Sequence, residues 1–278
     1  MAIEQLNTAG SFVLVNEGIE SGYHYKTENL KVAVYEVIRF INGVPLFFDE
    51  HMNRLINSVS LVECFLNINE GDLCGKLTEL SKINKIEFGN LMLKVLFFED
   101  SYDVLAYFIP HKYPEKEDYD CGVEVDLLRA ERTNPEAKVE NVTVRSLANR
   151  QIEETGVYEV LLVNQNEEIT EGSRSNFFGV KGGCLYTAPF SSVLQGITML
   201  KTLRLADLMS VPVCFESIKA NELENFDALF LTGTSPKILP VSRIGGLQFN
   251  VDNLVMRKLM QSYQQLISED IAKRRDSL

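Results

Sequence analysis

The sequence lacks the motifs of the commonest metal and nucleotide sites. It has no tryptophan and only three histidines, His24, His51 and His111. These histidines form no His-Glu-x-x-His pattern, and no pair of carboxylates stands at ligand spacing, so a metal site has little support. Glycine-rich phosphate loops of the Walker or Rossmann kind are also missing. Any functional site in this chain must therefore be built from other residue types.

Cysteine pairs and an excess of positive charge are missing as well. The five cysteines, Cys64, Cys74, Cys121, Cys184 and Cys214, are widely spaced and include no Cys-x-x-Cys motif, so we expect free thiols rather than zinc or dithiol chemistry. The formal net charge of −12 argues against a nucleic-acid partner, because phosphate backbones are bound by clustered Lys and Arg.

Long apolar runs are absent too. No run approaches the roughly 18 residues of a membrane helix, and the N-terminal residues lack the basic-then-apolar order of a signal peptide. We therefore expect a cytoplasmic protein with no membrane partner. With 278 residues, 45% of them hydrophobic, the chain can bury one large core or two modest ones.

The first half of the chain predicts a small α/β domain that opens with a hairpin. Val32 to Phe40 alternates as a strand does, and Asn42-Gly43 is a dipeptide favoured in type I′ turns. From Asp49, a predicted N-cap, a helix follows with His51 and Arg54 on its polar side. Strands are expected at 90–98 and 104–110, and the polar residues 111–121 are expected to link two domains.

The second half predicts a larger domain of strands and helices. Strands are expected at 122–128 and 157–163 with a helix at 142–155 between them, and two short strands should meet at Gly182-Gly183. A helix near 197–209, a strand near 211–218, a strand ending at Leu231 and a long C-terminal helix complete the pattern. We expect a small N-terminal α/β domain over residues 1–115 and a larger C-terminal domain over residues 116–278.

Four segments, in order, resemble the fold-type IV enzymes that use pyridoxal 5′-phosphate (PLP), the class IV aminotransferases. VYEVIRFINGVPLFFDEHMNRL (34–55) is similar to the family's opening strand, Asn-Gly turn and Glu-His-x-x-Arg-Leu helix. GVYEVLLVNQNEEITEGSRSNFFGVKGGCLYT (156–187) resembles its most specific stretch, which contains Thr-Glu-Gly-x-x-x-Asn-x-Phe. LQGIT (194–198) and TGTSPKILPV (232–241) resemble its phosphate-binding turn and its second Thr-rich turn. The resemblance implies the mixed α/β fold of D-amino acid aminotransferases, with a pseudo-barrel sheet in the larger domain.

The resemblance also implies a catalytic lysine, which must be placed by counting. VRSL (144–147) imitates the family's Ile-Lys-Ser-Leu and would put Arg145 at the Schiff-base position, where a guanidinium that stays protonated could not attack an aldehyde. In the family the lysine lies about 18 residues before the helix-ending glycine, with an asparagine three positions after it in several members. Lys138 satisfies both conditions relative to Gly156 and Asn141, so we assign Lys138 and treat Arg145 as a helix residue.

Further positions take roles from the same resemblance. Arg54 matches the arginine that grips the cofactor phosphate, and Glu171 matches the glutamate that keeps the pyridine nitrogen protonated. The remaining predicted cofactor residues lie in the matched motifs: Asn176, Gly196, Ile197, Thr198, Thr234 and Ser235. A helix start at Ile197 would supply backbone N–H groups to an anion.

Substrate residues are less determined by the sequence. Tyr35 and Arg39 share one face of their strand, and Lys94 and Arg174 are further cations for a substrate carboxylate. The Arg-x-His carboxylate trap of the D-amino acid transaminases is missing between Phe97 and Pro110. The match of Tyr35–Arg39 to the branched-chain enzymes favours a branched-chain-like or broad amino acid transaminase.

Two other functions stay open at this level. A lyase acting on 4-amino-4-deoxychorismate would use the same lysine and glutamate, and a non-catalytic homologue would follow if Arg145 held the lysine's position. The transaminase alternative implies two strokes, in which an amino acid and then a keto acid react in turn. The family also implies a homodimer.

Overall fold

The structure is a computed structural model that describes residues 3–21, 24–26, 28–132, 135–139 and 142–275. Asn141, which helped to place the lysine, lies outside the described residues. The chain divides into two compact units: the first is Met1–Lys112, Ala137–Glu140 and Ile267–Leu278, and the second is Tyr113–Glu136 and Asn141–Leu266. The domain division at residues 115 and 116 stays a prediction.

The first unit is built on a six-stranded sheet, two complete helices and the end of the C-terminal helix, from Ile267 onward. Its other elements are β1 (Ile3–Gln5), β2 (Phe12–Val15), β3 (Gly18–Ser21), β4 (His24–Lys26), β5 (Val32–Ile41), β6 (Val44–Pro45), α1 (Phe48–Leu61), α2 (Glu70–Asn84), β7 (Gly89–Phe97) and β8 (Tyr102–Ile109). The sheet order is β3-β2-β8-β7-β5-β6, and β1 pairs with β4 in a separate ribbon.

The predicted hairpin of the first unit is confirmed. Ile41 pairs with Val44 across the two-residue turn, and Asn42 and Gly43 both have positive φ, 55° and 75°, as a type I′ turn requires. Along β5, alternate residues enter the core with α1 and α2, because side chains of a strand alternate between its two faces. The tight turn therefore fixes which residues of β5 face α1.

The start of α1 differs from the prediction. The helix begins at Phe48, so Asp49 lies in its first turn and is not the N-cap. Phe47 takes the cap position with a left-handed backbone (φ 51°), and its N–H donates to Asp270 Oδ2 at 2.8 Å. Asp49 instead pairs with Arg274 at 3.2 Å. A cap carboxylate from the chain's far end cannot be read from the local sequence.

The second unit is built on a ten-stranded sheet. The elements are α3 (Lys116–Cys121), β9 (Val123–Arg129), α4 (Val142–Thr155), β10 (Glu159–Val163), β11 (Glu168–Gly172), β12 (Asn176–Lys181), β13 (Cys184–Thr187), α5 (Ile197–Leu208), β14 (Val213–Phe215), β15 (Ile218–Lys219), β16 (Ala228–Gly233), β17 (Lys237–Ile244), β18 (Leu247–Gln248) and the part of α6 (Leu254–Arg275) that precedes Ile267. The path of the sheet is β14-β13-β12-β16-β17-β9-β10-β11-β15, and β18 pairs with β17.

Several predictions for the second unit are confirmed and some are corrected. The parallel pair β9 and β10 is connected through α4, which contains Arg145 as predicted and ends directly before Gly156. The 211–218 segment forms two short strands rather than one, and α3 lies inside the stretch predicted as a linker. No helix in the described part of the chain combines the length and the apolar character that a membrane span requires.

Candidate active site

Lys138 lies in a short segment that is fixed to the first unit through its backbone. Its carbonyl accepts a hydrogen bond from the Tyr35 N–H at 3.1 Å, and its own N–H donates to the buried Ser58 Oγ at 3.2 Å. Val139 forms an antiparallel bridge with Val34. The Lys138 ammonium lies 4.8 Å from the centre of the Tyr35 ring, within cation–π range. β5 and α1 thus hold a half-buried lysine at this position.

Arg54 belongs to a charged cluster in the core of the first unit. Its Nε donates to Glu36 Oε1 at 2.8 Å and its Nη2 donates to Glu36 Oε2 at 2.6 Å. His51 Nδ1 lies 2.7 Å from the same Oε2. Glu36 is fully buried, and the Arg54 side chain is only 10% exposed. Two parallel hydrogen bonds fix the plane of the guanidinium, so Arg54 is strongly oriented.

The charges of this cluster set its ionisation. Burial alone would raise the pKa of the Glu36 carboxyl, but the charge and hydrogen bonds of Arg54, helped by His51, hold that pKa at about 2. Burial lowers the pKa of His51; Glu36 opposes this, and the charges of Arg54 and Lys138 add to it. Glu36 is therefore ionised at neutral pH and His51 is neutral. The predicted catalytic lysine, Lys138, and the predicted phosphate-binding arginine, Arg54, therefore both lower the pKa of His51.

Three of the four predicted substrate residues share one sheet face of the first unit. Tyr35 and Lys94 are direct cross-strand partners, and Arg39 pairs with Asn90 four residues along β7, so their side chains point to the same side. Lys94 is 4% exposed. Buried lysines are rare unless they bind a partner, which makes Lys94 the most informative residue of this face.

Glu171 is the best-anchored of the predicted site residues in the second unit. Its Oε1 accepts from Arg132 Nη1 at 2.8 Å, and its Oε2 accepts from the Leu194 N–H at 3.3 Å. Asn176 Nδ2 lies 3.5 Å from Oε2. The Glu171 side chain is 4% exposed and that of Arg132 is 15% exposed. A buried carboxylate whose two oxygens are held by hydrogen bonds is suited to accept a further hydrogen bond from a cationic N–H group.

Asn176 connects Glu171 to the turn before α5. Its Nδ2 donates to the Leu194 carbonyl at 2.7 Å. A Cβ at Gly196 would lie 2.1 Å from Asn176 Oδ1, so any larger residue at position 196 would displace the Asn176 amide. Across the sheet, Asn176 pairs with Thr232, whose buried hydroxyl has no hydrogen-bond partner among the residues that the structure describes. A buried hydroxyl without a partner costs free energy, and a bound polar group would supply one.

The turn itself opens onto the first turn of α5. Gly196 is the N-cap of this helix and provides no side-chain cap, so the N–H groups beginning at Ile197 have no partner within the helix. The hydroxyl of Thr198 is buried and lies 3.1 Å from Tyr263 Oη. Thr234 and Ser235 lie in the turn between β16 and β17, half-buried. Backbone donors and hydroxyls of this kind are suited to an anion such as phosphate.

Arg174 has a different setting from the other predicted residues. It is exposed, and its Nη2 donates to Asn149 Oδ1. The Arg174 N–H donates to the buried Glu159 at 3.1 Å, and Glu159 also accepts from Ser173 Oγ at 2.7 Å and from Ser175 Oγ at 3.3 Å. Glu159 therefore shapes the turn that joins Glu171 to Asn176.

Sequence reasoning missed four residues of these clusters: Glu36, His51, Arg132 and Glu159. Glu36 and Glu159 could have been recognised in the sequence, because each stands at a core-facing position among apolar strand residues, where a charge must be paired. His51 was expected on the polar side of α1 but is 2% exposed. Arg132 had no signal, since its ion pair joins residues 39 positions apart.

Comparison with known proteins identifies the family. The family model described as amino-transferase class IV matches residues 33–244, more than half of the chain. A D-alanine aminotransferase of Bacillus licheniformis is 30% identical over 77% of this chain and 79% of its own length. A protein of Thermotoga maritima named "Probable branched-chain-amino-acid aminotransferase" is 34% identical over 80% of this chain and 81% of its own length.

Solved structures of branched-chain aminotransferases share the fold. That of Thermoproteus uzoniensis with norvaline has a TM-score of 0.82 at 21% identity and covers 96% of this chain and 97% of its own. That of Thermobaculum terrenum in its PLP holo-form has a TM-score of 0.80 at 19% identity and covers 98% of each chain. These likenesses confirm the predicted mixed α/β fold. The chain belongs to the class IV aminotransferases.

Proposed function

We propose that this aminotransferase acts on branched-chain or a broad range of amino acids, with Lys138 as its catalytic lysine. The chain is a PLP-dependent transaminase that moves an amino group between an amino acid and a keto acid. The observation that carries the proposed site is the anchored carboxylate of Glu171, which Arg132 and the Leu194 N–H hold beside the turn that begins α5.

The residues of the second unit fit the cofactor's chemistry. Glu171 can accept a hydrogen bond from a protonated pyridine nitrogen, and Asn176 fixes the carboxylate relative to the turn. The N–H groups of Ile197 and Thr198 would receive the phosphate, with Gly196 giving close access. Thr234 and Ser235 would add donors. The buried Thr232 hydroxyl, which has no hydrogen-bond partner in the described part of the chain, supports a polar ligand here.

The residues of the first unit would bind and move protons. Arg54 would donate to the phosphate while Glu36 keeps its guanidinium oriented. When bound, PLP supplies the electron sink that lets a substrate Cα–H bond break. Lys138 Nζ would then accept the Cα proton and return it later in the cycle, which is general base and acid catalysis by one amine.

Lys94 is the leading candidate for the substrate carboxylate. It is buried and directly opposite Tyr35, whose ring lies beside the Lys138 ammonium. Arg39 on the same face would be the second cation. Arg174 is the weaker candidate, because it is exposed and engages Asn149. Relatives named for D-alanine and for branched-chain substrates have similar sequence identity to this chain, so the donor screen includes both enantiomers.

Two broader properties belong to the same proposal. The family resemblance supports a homodimer, which size-exclusion chromatography with light scattering would test. The amino-acid substrates of a transaminase are consistent with a cytoplasmic enzyme. A fully active monomer would contradict the proposed homodimer.

The function is tested by an amino-donor screen of the holoenzyme with 2-oxoglutarate. Each L- and D-amino acid is supplied in turn, and the product glutamate and the new keto acid are quantified, with Lys138→Ala as the inactive control. We expect branched-chain donors among the best substrates and a strict need for the keto acid acceptor. Release of pyruvate from 4-amino-4-deoxychorismate without an acceptor would favour the lyase instead.

A further inference from the structure

Two cysteines of the second unit lie in contact, although no Cys-x-x-Cys motif predicts a pair. Cys184 Sγ and Cys214 Sγ are 3.4 Å apart. Cys184 begins β13 and Cys214 is the middle residue of β14, the terminal strand of the ten-stranded sheet. Both residues are half-buried, so small molecules can reach them. Neither belongs to the proposed cofactor or substrate residues.

The strand geometry places the two cysteine side chains on one face of the sheet. β13 and β14 are parallel, and Tyr186 is the partner of Cys214, so Cys184, two residues earlier, points to the same face. Because Cys184 lies two residues before the partner of Cys214, the two cysteines are diagonal neighbours, and a strand spacing of about 4.8 Å with a rise of about 3.3 Å per residue puts their Cα atoms roughly 8 Å apart. Disulfides join Cα atoms about 4.4 to 6.8 Å apart. The sulfurs are already in contact, and a bond between them requires the short terminal strand β14 to move toward Cys184 by roughly 1 Å or more.

We propose that Cys184 and Cys214 form a reversible modification site that a low-molecular-weight disulfide, such as oxidised glutathione, converts to an intramolecular disulfide. One cysteine loses its proton to water, and its thiolate attacks a sulfur of the oxidant, releasing one thiol and leaving a mixed disulfide. The neighbouring thiolate then attacks the protein sulfur of that adduct and releases the second thiol. The two cysteines are oxidised by two electrons, and the oxidant is reduced to two thiols.

The bond would close a loop that contains the proposed phosphate turn. Cys184 and Cys214 are 30 residues apart, and the segment between them includes residues 194–198 and all of α5. At its end, the Phe215 ring packs against Phe190 at 4.9 Å, in the short helix that leads to this turn. We infer that oxidation stabilises this segment and slows loss of the cofactor. This consequence rests on the proposed function, whereas formation of the disulfide does not.

The disulfide itself is tested on the full-length holoenzyme. The enzyme is incubated with oxidised glutathione, free thiols are alkylated, and unreduced peptides are mapped by mass spectrometry. We expect a peptide that links Cys184 to Cys214 and that dithiothreitol removes. Cys121→Ser, which removes an exposed thiol, should form the same link, while Cys184→Ser should show only a mixed disulfide on Cys214. Absence of the link in the wild type, with both thiols alkylated, would overturn the proposal.

The consequence is tested by comparing the oxidised and reduced enzymes. Closing a loop of this length should raise the melting temperature by roughly 5 °C or more, and PLP should dissociate at least about twofold more slowly in a competition assay. A linked enzyme with unchanged PLP dissociation would overturn the coupling to the phosphate turn. If the enzyme never binds PLP, the proposed function fails, and the thiol mapping still decides the modification site.

Discussion

The buried carboxylate of Glu36 gives the most quantitative prediction. Replacing it in Glu36→Gln keeps the shape of the side chain but leaves the Arg54 guanidinium buried opposite a neutral amide. Depression of the pKa from 4.5 to about 2 corresponds to about 3 kcal/mol, at about 1.4 kcal/mol per unit. Breaking a buried ion pair by removing one partner also costs about 3 to 5 kcal/mol. We therefore expect Glu36→Gln to lower the free energy of unfolding by about 3 kcal/mol.

Urea unfolding of the PLP-free protein measures this loss. With a slope of about 3 kcal/mol per molar urea, the midpoint of Glu36→Gln should fall by about 1 M at pH 7.5. Because the folded-state pKa is depressed, the contribution of Glu36 is complete above the unfolded value of 4.5 and is lost as the pH falls through about 2. Raising the pH from 7 to 8 should therefore leave the difference unchanged.

A matched control separates the effect of burial on stability from the effect of losing a charge. Glu124 pairs with Arg243 where both side chains are about half exposed, so Glu124→Gln should cost under about 1 kcal/mol. Equal midpoint shifts for the two variants, or no shift for Glu36→Gln, would refute the claim that the buried cluster stabilises the first unit.

Three further predictions concern the proposed site. Gly196→Ala places a Cβ against Asn176 Oδ1, so the PLP affinity should fall at least about tenfold in a fluorescence titration. The control Gly75→Ala adds a Cβ that meets no atom within 4 Å and should leave the PLP affinity unchanged. Lys94→Met should raise KM for the amino donor about tenfold or more with kcat little changed, as loss of substrate binding does; an unaltered KM would exclude Lys94 from carboxylate binding. Glu159→Gln should weaken PLP binding by loosening the Gly172–Ser175 turn, and normal affinity would contradict that role.

Local patterns predicted most of the elements near the site. The alternation of β5 and the Asn42-Gly43 turn are determined by short-range sterics, so the hairpin was predicted correctly. Helix α2 was not predicted, because Gly71 and Gly75 weaken the helical pattern. The start of α1 was misplaced because its cap is the unusual backbone of Phe47, which is fixed from α6.

The candidate site could be predicted only where a motif names its residues. Lys138 and Glu171 came from motifs, and the structure supplies their neighbours. The Arg132–Glu171 ion pair and the Glu36–Arg54 pair both join residues that are distant in the sequence. Such contacts depend on how strands and helices assemble, so composition and spacing contain little information about them.

Lys138 as the catalytic lysine is the central claim, and one labelling experiment tests it directly. The purified enzyme with PLP should absorb near roughly 410 to 420 nm, and borohydride should remove this band and leave the cofactor permanently attached. Peptide mapping by mass spectrometry should then find the pyridoxyl group on Lys138, and Lys138→Ala should remain unlabelled. Attachment to a different lysine, or PLP binding without any attachment, would contradict the account.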